Sequence, residues 1–386
     1  MNSSLEGWMK KLLVSSTATQ AVIYIIRPMI TYRTLELDSS AFTVGLIATV
    51  YALLPVLLAL SFGRWVSVVG EGRFVILGTA SLGVSAVALI YANSIFLLAV
   101  ASALSGIAHL ACMVGGQTMV SLKSPSDKYD HYFGYYTFSA SLGHMIGPII
   151  GAIAAGSTGV LPKSTTAAFV AALVLSGLAL IPVMNWRNEK PTVTVVKSDV
   201  GALRSAGKLL RNPRIFAAIY TSLAISSVAD ILIVFLPLYG TEKSFSSFSI
   251  GAIIAIRAGA SMLSRLSLGK LSNRYSTVRI LVVSNCVSVI SCIAMAFAPN
   301  VISLAIIVAI AGFALGVGQP LTMSLVSQAT APTDRAMAVS ARLTGNRLGQ
   351  FIVPALAGLL AASAGASAVF IGMAALLATT FIKFRR

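Results

Sequence analysis

The feature that most constrains this chain is a stretch of about twenty mostly apolar residues that recurs twelve times with short polar breaks between. A stretch of that length matches the hydrocarbon thickness of a bilayer as a helix. Inside lipid the backbone has no water to bond, so a spanning segment must satisfy its own N–H and C=O groups, as a helix does. Spans are predicted near 12–32, 41–62, 74–93, 95–121, 132–156, 164–185, 215–239, 248–268, 279–298, 301–328, 336–362 and 367–384. Composition agrees: 57% of residues are hydrophobic and 10% are charged, where a soluble domain carries about a quarter charged. The expected fold is an all-α membrane protein, with twelve transmembrane helices in two six-helix bundles.

A net charge of +17 first suggests nucleic acid, but the placement of the bases argues otherwise. Lys10, Lys11, Arg64, Arg73, Lys123, Lys128, the group from Arg187 to Arg214, Arg265, Lys270, Arg274, Arg279, Arg335, Lys383, Arg385 and Arg386 fall on one side, 21 in all. Arg33, Lys163 and Lys243 are the three on the other side. That asymmetry is the positive-inside bias and puts both termini in the cytoplasm. The bilayer is the expected partner, and no nucleic acid is implied. Cys112, Cys286 and Cys292 lie inside apolar runs, so neither a disulfide framework nor a metal site is expected. The first run, broken by Ser15, Ser16, Thr17, Thr19 and Gln20, reads as a retained helix and not a signal peptide.

The chain repeats itself. Phe42-Thr43-Val44-Gly45 matches Phe248-Ser249-Ile250-Gly251, Gly63 and Arg73 match Gly269 and Arg279, and Gly143 through Gly159 matches Gly349 through Gly365. All three correspondences share one offset, 269 − 63 = 206. Six helices per half leave the halves in the same orientation, a parallel repeat. The predicted domains are residues 1–185 and 215–386, joined by the polar cytoplasmic linker 186–214.

The fifth span carries Gly134, then Gly143, Gly147-Pro148 and Gly151. The last three glycines recur every fourth residue and share one helix face, which lets another backbone approach closely. With these residues the sequence resembles the major facilitator superfamily, in particular its drug:proton antiporter branch, over nearly the whole chain. That branch ends its fifth-helix motif in a glycine pair, and here Ala152 replaces the second member. The loops after spans two and eight are similar to the superfamily's gating loop through Gly63, Gly70 and Arg73, and through Gly269, Leu271 and Arg274. Ser67 and Asn273 stand where that loop has aspartate, and Ser102 stands where the family has an arginine four residues before Gly106. The resemblance implies an exporter in a bacterial-type inner membrane, acting as a monomer. It also implies a substrate site between the halves, lined by spans one, four, seven and ten, and a glycine face packed against span eight.

Charged groups at membrane depth are costly and mark pathways or paired sites. Arg27, Arg257, Arg342 and Arg347 are the cations there, and Asp230 is the acid. The repeat counterparts of Arg257 and Arg347 are Tyr51 and Ser141, so the second half has gained charges that packing symmetry does not require. Arg342 sits nearer the cytoplasmic end, where it could snorkel, and a structural role is the stronger reading for it. Arg27, Arg257 and Arg347 are the candidate substrate contacts, because a guanidinium fork suits carboxylate or phosphate. Gln20, Tyr24, His109, Gln319 and Asn346 join them as candidate lining residues. Asp230 is the candidate proton carrier, and His144 follows because histidine titrates near neutral pH. Gly134, Gly143, Gly147, Pro148, Gly151, Gly63, Arg73, Gly269 and Arg274 are the candidate packing and gating positions.

No phosphate-binding glycine loop and no metal-ligand spacing is present in the sequence, so no enzyme, cofactor or ATP-driven pump is expected. The leading expectation is a proton-driven exporter of a small anionic or zwitterionic solute. A proton-coupled importer of an organic acid fits the same fold. A membrane sensor or assembly partner that has lost transport would account for the altered gating loops.

Overall fold

The computed structural model describes residues 6–38, 40–125, 129–156, 158–188, 211–330 and 335–384. The middle of the predicted linker, 189–210, lies outside the described residues, as do Lys128, Arg385 and Arg386. The described residues form twelve α-helices: α1 Gly7–Leu37, α2 Ala41–Val69, α3 Glu71–Ile90, α4 Ile95–Lys123, α5 Tyr129–Ala154, α6 Thr165–Leu180, α7 Pro213–Glu242, α8 Ser247–Arg274, α9 Thr277–Ala296, α10 Val301–Gln328, α11 Arg335–Ala364 and α12 Ala366–Phe384. Eleven carry stretches long and apolar enough to cross a membrane, and α12 contributes a shorter one, Ala366–Phe381. The chain is a multi-pass membrane protein.

The sixth span ends earlier as an α-helix than its apolar run suggests. It continues as a 3-10 segment, Ile181–Asn188. Pro182 has no N–H to donate and disfavours helical geometry in the residue before it, which accounts for the change at that point.

The internal repeat extends to the helix boundaries. The starts of α7, α8, α9, α10 and α11 follow those of α1 to α5 by one constant, as in 247 − 41 = 206 and 335 − 129 = 206. The caps of α4 and α10 correspond as well. Ser94 accepts from the Leu97 N–H at the start of α4. At the same repeat position Asn300 forms a reciprocal capping box with Ser303 at the start of α10.

The chain divides into two compact units. The first holds Met1–Asp38, Val50–Val196 and Ser246–Ala255, and the second holds Ser39–Thr49, Lys197–Phe245 and Ile256–Arg386. The boundaries thus fall inside α2 and α8. In the first unit α1 packs on α4, α5 and α6, and α3 packs on α4 and α6. In the second, α7 packs on α10, α11 and α12, and α9 packs on α10 and α12. Each pairing maps onto its repeat counterpart. In α1 and in α7, 78% of the most apolar stretch is buried, against 50% or less in the other spans. These two helices are the most enclosed of the eleven long spans among the described residues. Outward faces, such as Leu77 and Val84 of α3, Val174 and Leu178 of α6, and Val283 and Ile290 of α9, expose large apolar side chains. Lipid solvates such side chains, whereas water would not.

Candidate functional site

The two most enclosed helices also carry buried polar residues. In the first unit Gln20, Tyr24 and Arg27 of α1 are all buried. Seven residues separate Gln20 from Arg27, about two helical turns, so both lie on one face. His109 of α4 and His144 of α5 are half-buried. The structure joins all five candidates through a sixth residue, Tyr51 of α2. The guanidinium of Arg27 lies over the Tyr51 ring, 4.9 Å from its centroid. The Tyr51 hydroxyl and His109 Nδ1 are 2.7 Å apart. His109 Nε2 is 3.3 Å from Gln20 Oε1, and His144 Nε2 is 3.0 Å from the same oxygen. The His144 ring stacks on Tyr24 at a centroid distance of 4.0 Å and an interplanar angle of 16°.

These distances fix hydrogen-bond roles. An amide oxygen carries no proton, so both histidines donate their Nε2–H to Gln20. A neutral His109 then has a lone pair on Nδ1, and the Tyr51 hydroxyl donates to it. One continuous network thus crosses α1, α2, α4 and α5. Beside Gln20 lies a small cavity lined by Ser15, Ser16, Thr19, Thr79, Cys112 and Tyr136, with Leu12 and Val75. Six of the eight residues named have polar side chains, which suits a water and not an empty void.

The second unit has its own network. Arg342 of α11 is only 5% exposed. Its Nη2 donates to the Gln319 carbonyl at 2.9 Å, to Gln319 Oε1 at 2.6 Å and to Thr322 Oγ1 at 3.3 Å. Gln319 in turn donates to Ser226 of α7. Arg342 does not snorkel: the side chain turns inward, because α10 offers it oxygens at close range. Asn346, one turn further along α11, is buried. Asp230 is half-buried one turn beyond Ser226. Arg347 is half-buried and donates to Gln350 of its own helix at 3.0 Å.

Arg257 and Tyr51 occupy equivalent places. A Cβ added at Gly312 of α10 would lie 2.5 Å from the Arg257 carbonyl oxygen, and one added at Gly106 of α4 would collide with that of Tyr51. Two glycines thus bring α4 against α2 and α10 against α8 at repeat-related crossings. Half one places a tyrosine there, with Arg27 over its ring. Half two places an arginine there, and it is buried. The offset of 206 between Tyr51 and Arg257 was the sequence signal for Tyr51. Nothing in the chain order signals that Arg27 would cover it.

The glycine face of α5 needs a second correction. It meets α1 and not span eight. A Cβ at Gly147 would lie 2.5 Å from the Ala21 carbonyl oxygen, Gly143 faces Thr17, and Gly151 faces Ile25. Gly251 of α8 meets another face of α5, where an added Cβ would lie 3.0 Å from the Pro148 carbonyl oxygen and from the Ala152 Cβ. At the repeat-related contact, a Cβ added at Gly45 of α2 would lie 2.6 Å from both the Pro354 carbonyl oxygen and the Gly358 Cα. Ala152 is tolerated in place of a glycine because its partner, Gly251, has no side chain. A Cβ added at Gly134 would meet nothing within 4 Å among the described residues.

At the ends of the gating loops, Arg73 donates from Nε to the Arg187 carbonyl at 2.8 Å. Arg274 and Arg279 both lie over the Tyr275 ring, at 5.7 and 5.3 Å. The side-chain surroundings of Gly63 and Gly269 lie outside what the structure describes.

Comparison with known proteins places this architecture. The Major Facilitator Superfamily profile matches residues 12–297 and 244–386. Two proteins called multidrug resistance protein MdtG, from Salmonella paratyphi C and Salmonella typhimurium, are each 25% identical over 307 residues, covering 78% of this chain and 74% of theirs. Among solved structures, the nucleoside transporter NupG superposes with a TM-score of 0.78 at 12% identity, covering 98% of this chain and 99% of its own. A POT family transporter in complex with 5-aminolevulinic acid gives 0.79 at 16% identity, covering 98% and 95%. A bacterial homologue of the iron transporter ferroportin in its inward-facing state gives 0.75 at 14%, covering 99% of each chain.

Proposed function

Because the chain belongs to the Major Facilitator Superfamily, and is therefore a transporter of small solutes and not an enzyme, we propose that it exports a small organic anion or zwitterion by alternating access, driven by proton entry. The two homologous bundles, residues 1–185 and 215–386, are the moving parts, and 186–214 is their cytoplasmic tether. The protein works as a monomer in the inner membrane with both termini in the cytoplasm.

The observation that carries the choice of substrate is the burial of arginine. Arg27, Arg257 and Arg342 are each 7% exposed or less, in helices of a membrane protein. An ionised group taken out of water is expensive unless something compensates it. Arg342 is compensated by neutral oxygens of α10. Arg257 is the clamp for an anionic group in this reading, because it lies at a tight crossing whose repeat counterpart, Tyr51, carries no charge. Arg27 is a further contact, with Gln20, Tyr24, His109, Gln319 and Asn346 around the solute, and Arg347 acts beside Gln350. A pump for lipophilic cations would place acids at this depth, and Asp230 is the one acid in the predicted spans. It serves here as the carrier of the coupling proton. Export is the direction supported by the names of the two Salmonella relatives.

The test uses two variants and a panel of radiolabelled anions, zwitterions and lipophilic cations. Arg257→Lys keeps the charge and loses the fork, and Arg257→Gln loses both. Anion binding is expected to fall roughly tenfold for lysine, equivalent to about 1.4 kcal/mol, and further for glutamine. Anion binding at the parental level in both variants, with strong competition by a lipophilic cation, would sink the anion reading.

A further inference from the structure

Two histidines sharing one acceptor form an unusual pair for a membrane interior. Their Nε2 atoms are 3.0 and 3.3 Å from the same Gln20 oxygen. Protonating both rings would set two imidazolium cations against each other across a single amide oxygen, in surroundings that screen charge poorly. Protonating one ring meets no such obstacle, because an added proton goes to Nδ1 and leaves both bonds to Gln20 in place.

The two rings are not equivalent. For His109 to gain a proton at Nδ1, the Tyr51 hydroxyl must turn from donor to acceptor. The guanidinium of Arg27 already lies against that tyrosine, so a cation on His109 would approach another cation. His144 instead stacks on Tyr24, and an aromatic face attracts a cation. Tyr51 and Tyr24 touch the two rings, Arg27 lies over Tyr51, and Cys112 and Tyr136 line the cavity beside Gln20. The charged residues of α3, Glu71 and Arg73, sit in its first turn, and α6 has none.

We propose that Gln20, His109 and His144 form a site that binds a single proton, carried on His144, and that the polar cavity beside Gln20 connects it to water. Ser15, Ser16, Thr19, Thr79 and Tyr136 supply hydroxyls around that cavity, and Ser15 Oγ is buried with no protein partner. A bound water would satisfy that hydroxyl and bring an exchangeable proton next to the Gln20 amide. The site complements Asp230 and rests on the proton-driven reading for its purpose, but its test needs neither solute nor transport.

The chain has three histidines, so His131→Gln leaves only this pair. Nitrogen-15 histidine NMR of that variant, in detergent and across the pH range in which imidazole titrates, counts protons ring by ring. His109→Gln and His144→Gln variants assign the two signals. The expected result is one proton for the pair, on His144, with His109 staying neutral. Full titration of both rings, of neither, or of His109 alone would overturn the site. Ser15→Leu fills the cavity and should keep the single proton while losing exchange of the ring N–H signals with bulk water. Unchanged exchange would overturn the role of the cavity. Loss of coupled transport with the single-proton titration intact would count against the exporter reading and leave this site standing.

Discussion

Arg342 reaches three oxygens of α10 through one nitrogen, while its Nε is buried without a partner. Two effects oppose each other here. Hydrogen bonds from a charged donor contribute about 1.5–3 kcal/mol each at best. Burying the cation costs several kcal/mol and sometimes makes an apolar replacement the more stable one. The Gln319 side chain, which also donates to Ser226, decides between them, because losing its donor breaks a chain that ties α11 through α10 to α7. Arg342→Met is therefore expected to lower stability by about 1–3 kcal/mol, read as loss of folded protein in thermal denaturation. A rise in stability would mean that desolvation of the charge dominates. Position along the apolar runs picked out Arg27 and Arg257, and both are buried. Whether an arginine turns outward or inward depends on what the neighbouring helix offers, and for Arg342 that was not legible.

At the scale of the helix, the glycines of α5 separate two jobs that the sequence motif runs together. Gly143, Gly147 and Gly151 seat α5 on α1, while Pro148 and Ala152 receive Gly251. The four-residue spacing announced a close approach but not its partner, since any helix with a shallow surface can accept such a face. The polar cluster shows the same limit. Gln20, Tyr24, Arg27, His109 and His144 stand out because polar side chains are rare in apolar runs, yet Tyr51, which joins Arg27 to His109, is marked in the sequence only as the repeat counterpart of Arg257. The correction at α5 changes what mutation should do. A leucine at Gly147 must displace the α1 backbone at Ala21, and overpacking of this kind costs about 1–3 kcal/mol or more. Gly147→Leu is thus expected to cut the yield of folded protein, seen as an aggregated peak on size-exclusion chromatography. Gly134→Leu, with open space around the site, should elute as the parent does. Equal behaviour of the two variants would contradict the tight seating of α5 on α1.

For the molecule as a whole, the repeat was legible almost to the residue. An offset found in three short motifs recurs in the starts of five helix pairs. A periodic apolar pattern and its punctuation are local properties, so chain order preserves them. Sidedness is a property of the whole molecule and follows from charge. The loops and termini assigned to the cytoplasm carry 21 bases, and the opposite side carries three. Cationic loops are retained on the cytoplasmic side during insertion. An even number of spans then returns the second terminus to the side of the first. The linker carries seven of those bases, so an inverted arrangement would have to translocate the most cationic segment of the chain. Ser198, within that segment, is a suitable reporter. Cys286 is exposed and is replaced by serine first, whereas Cys112 and Cys292 are buried. A Ser198→Cys variant in that background should resist an impermeant maleimide in intact cells and react once the membrane is opened. Ready labelling in intact cells would invert the topology.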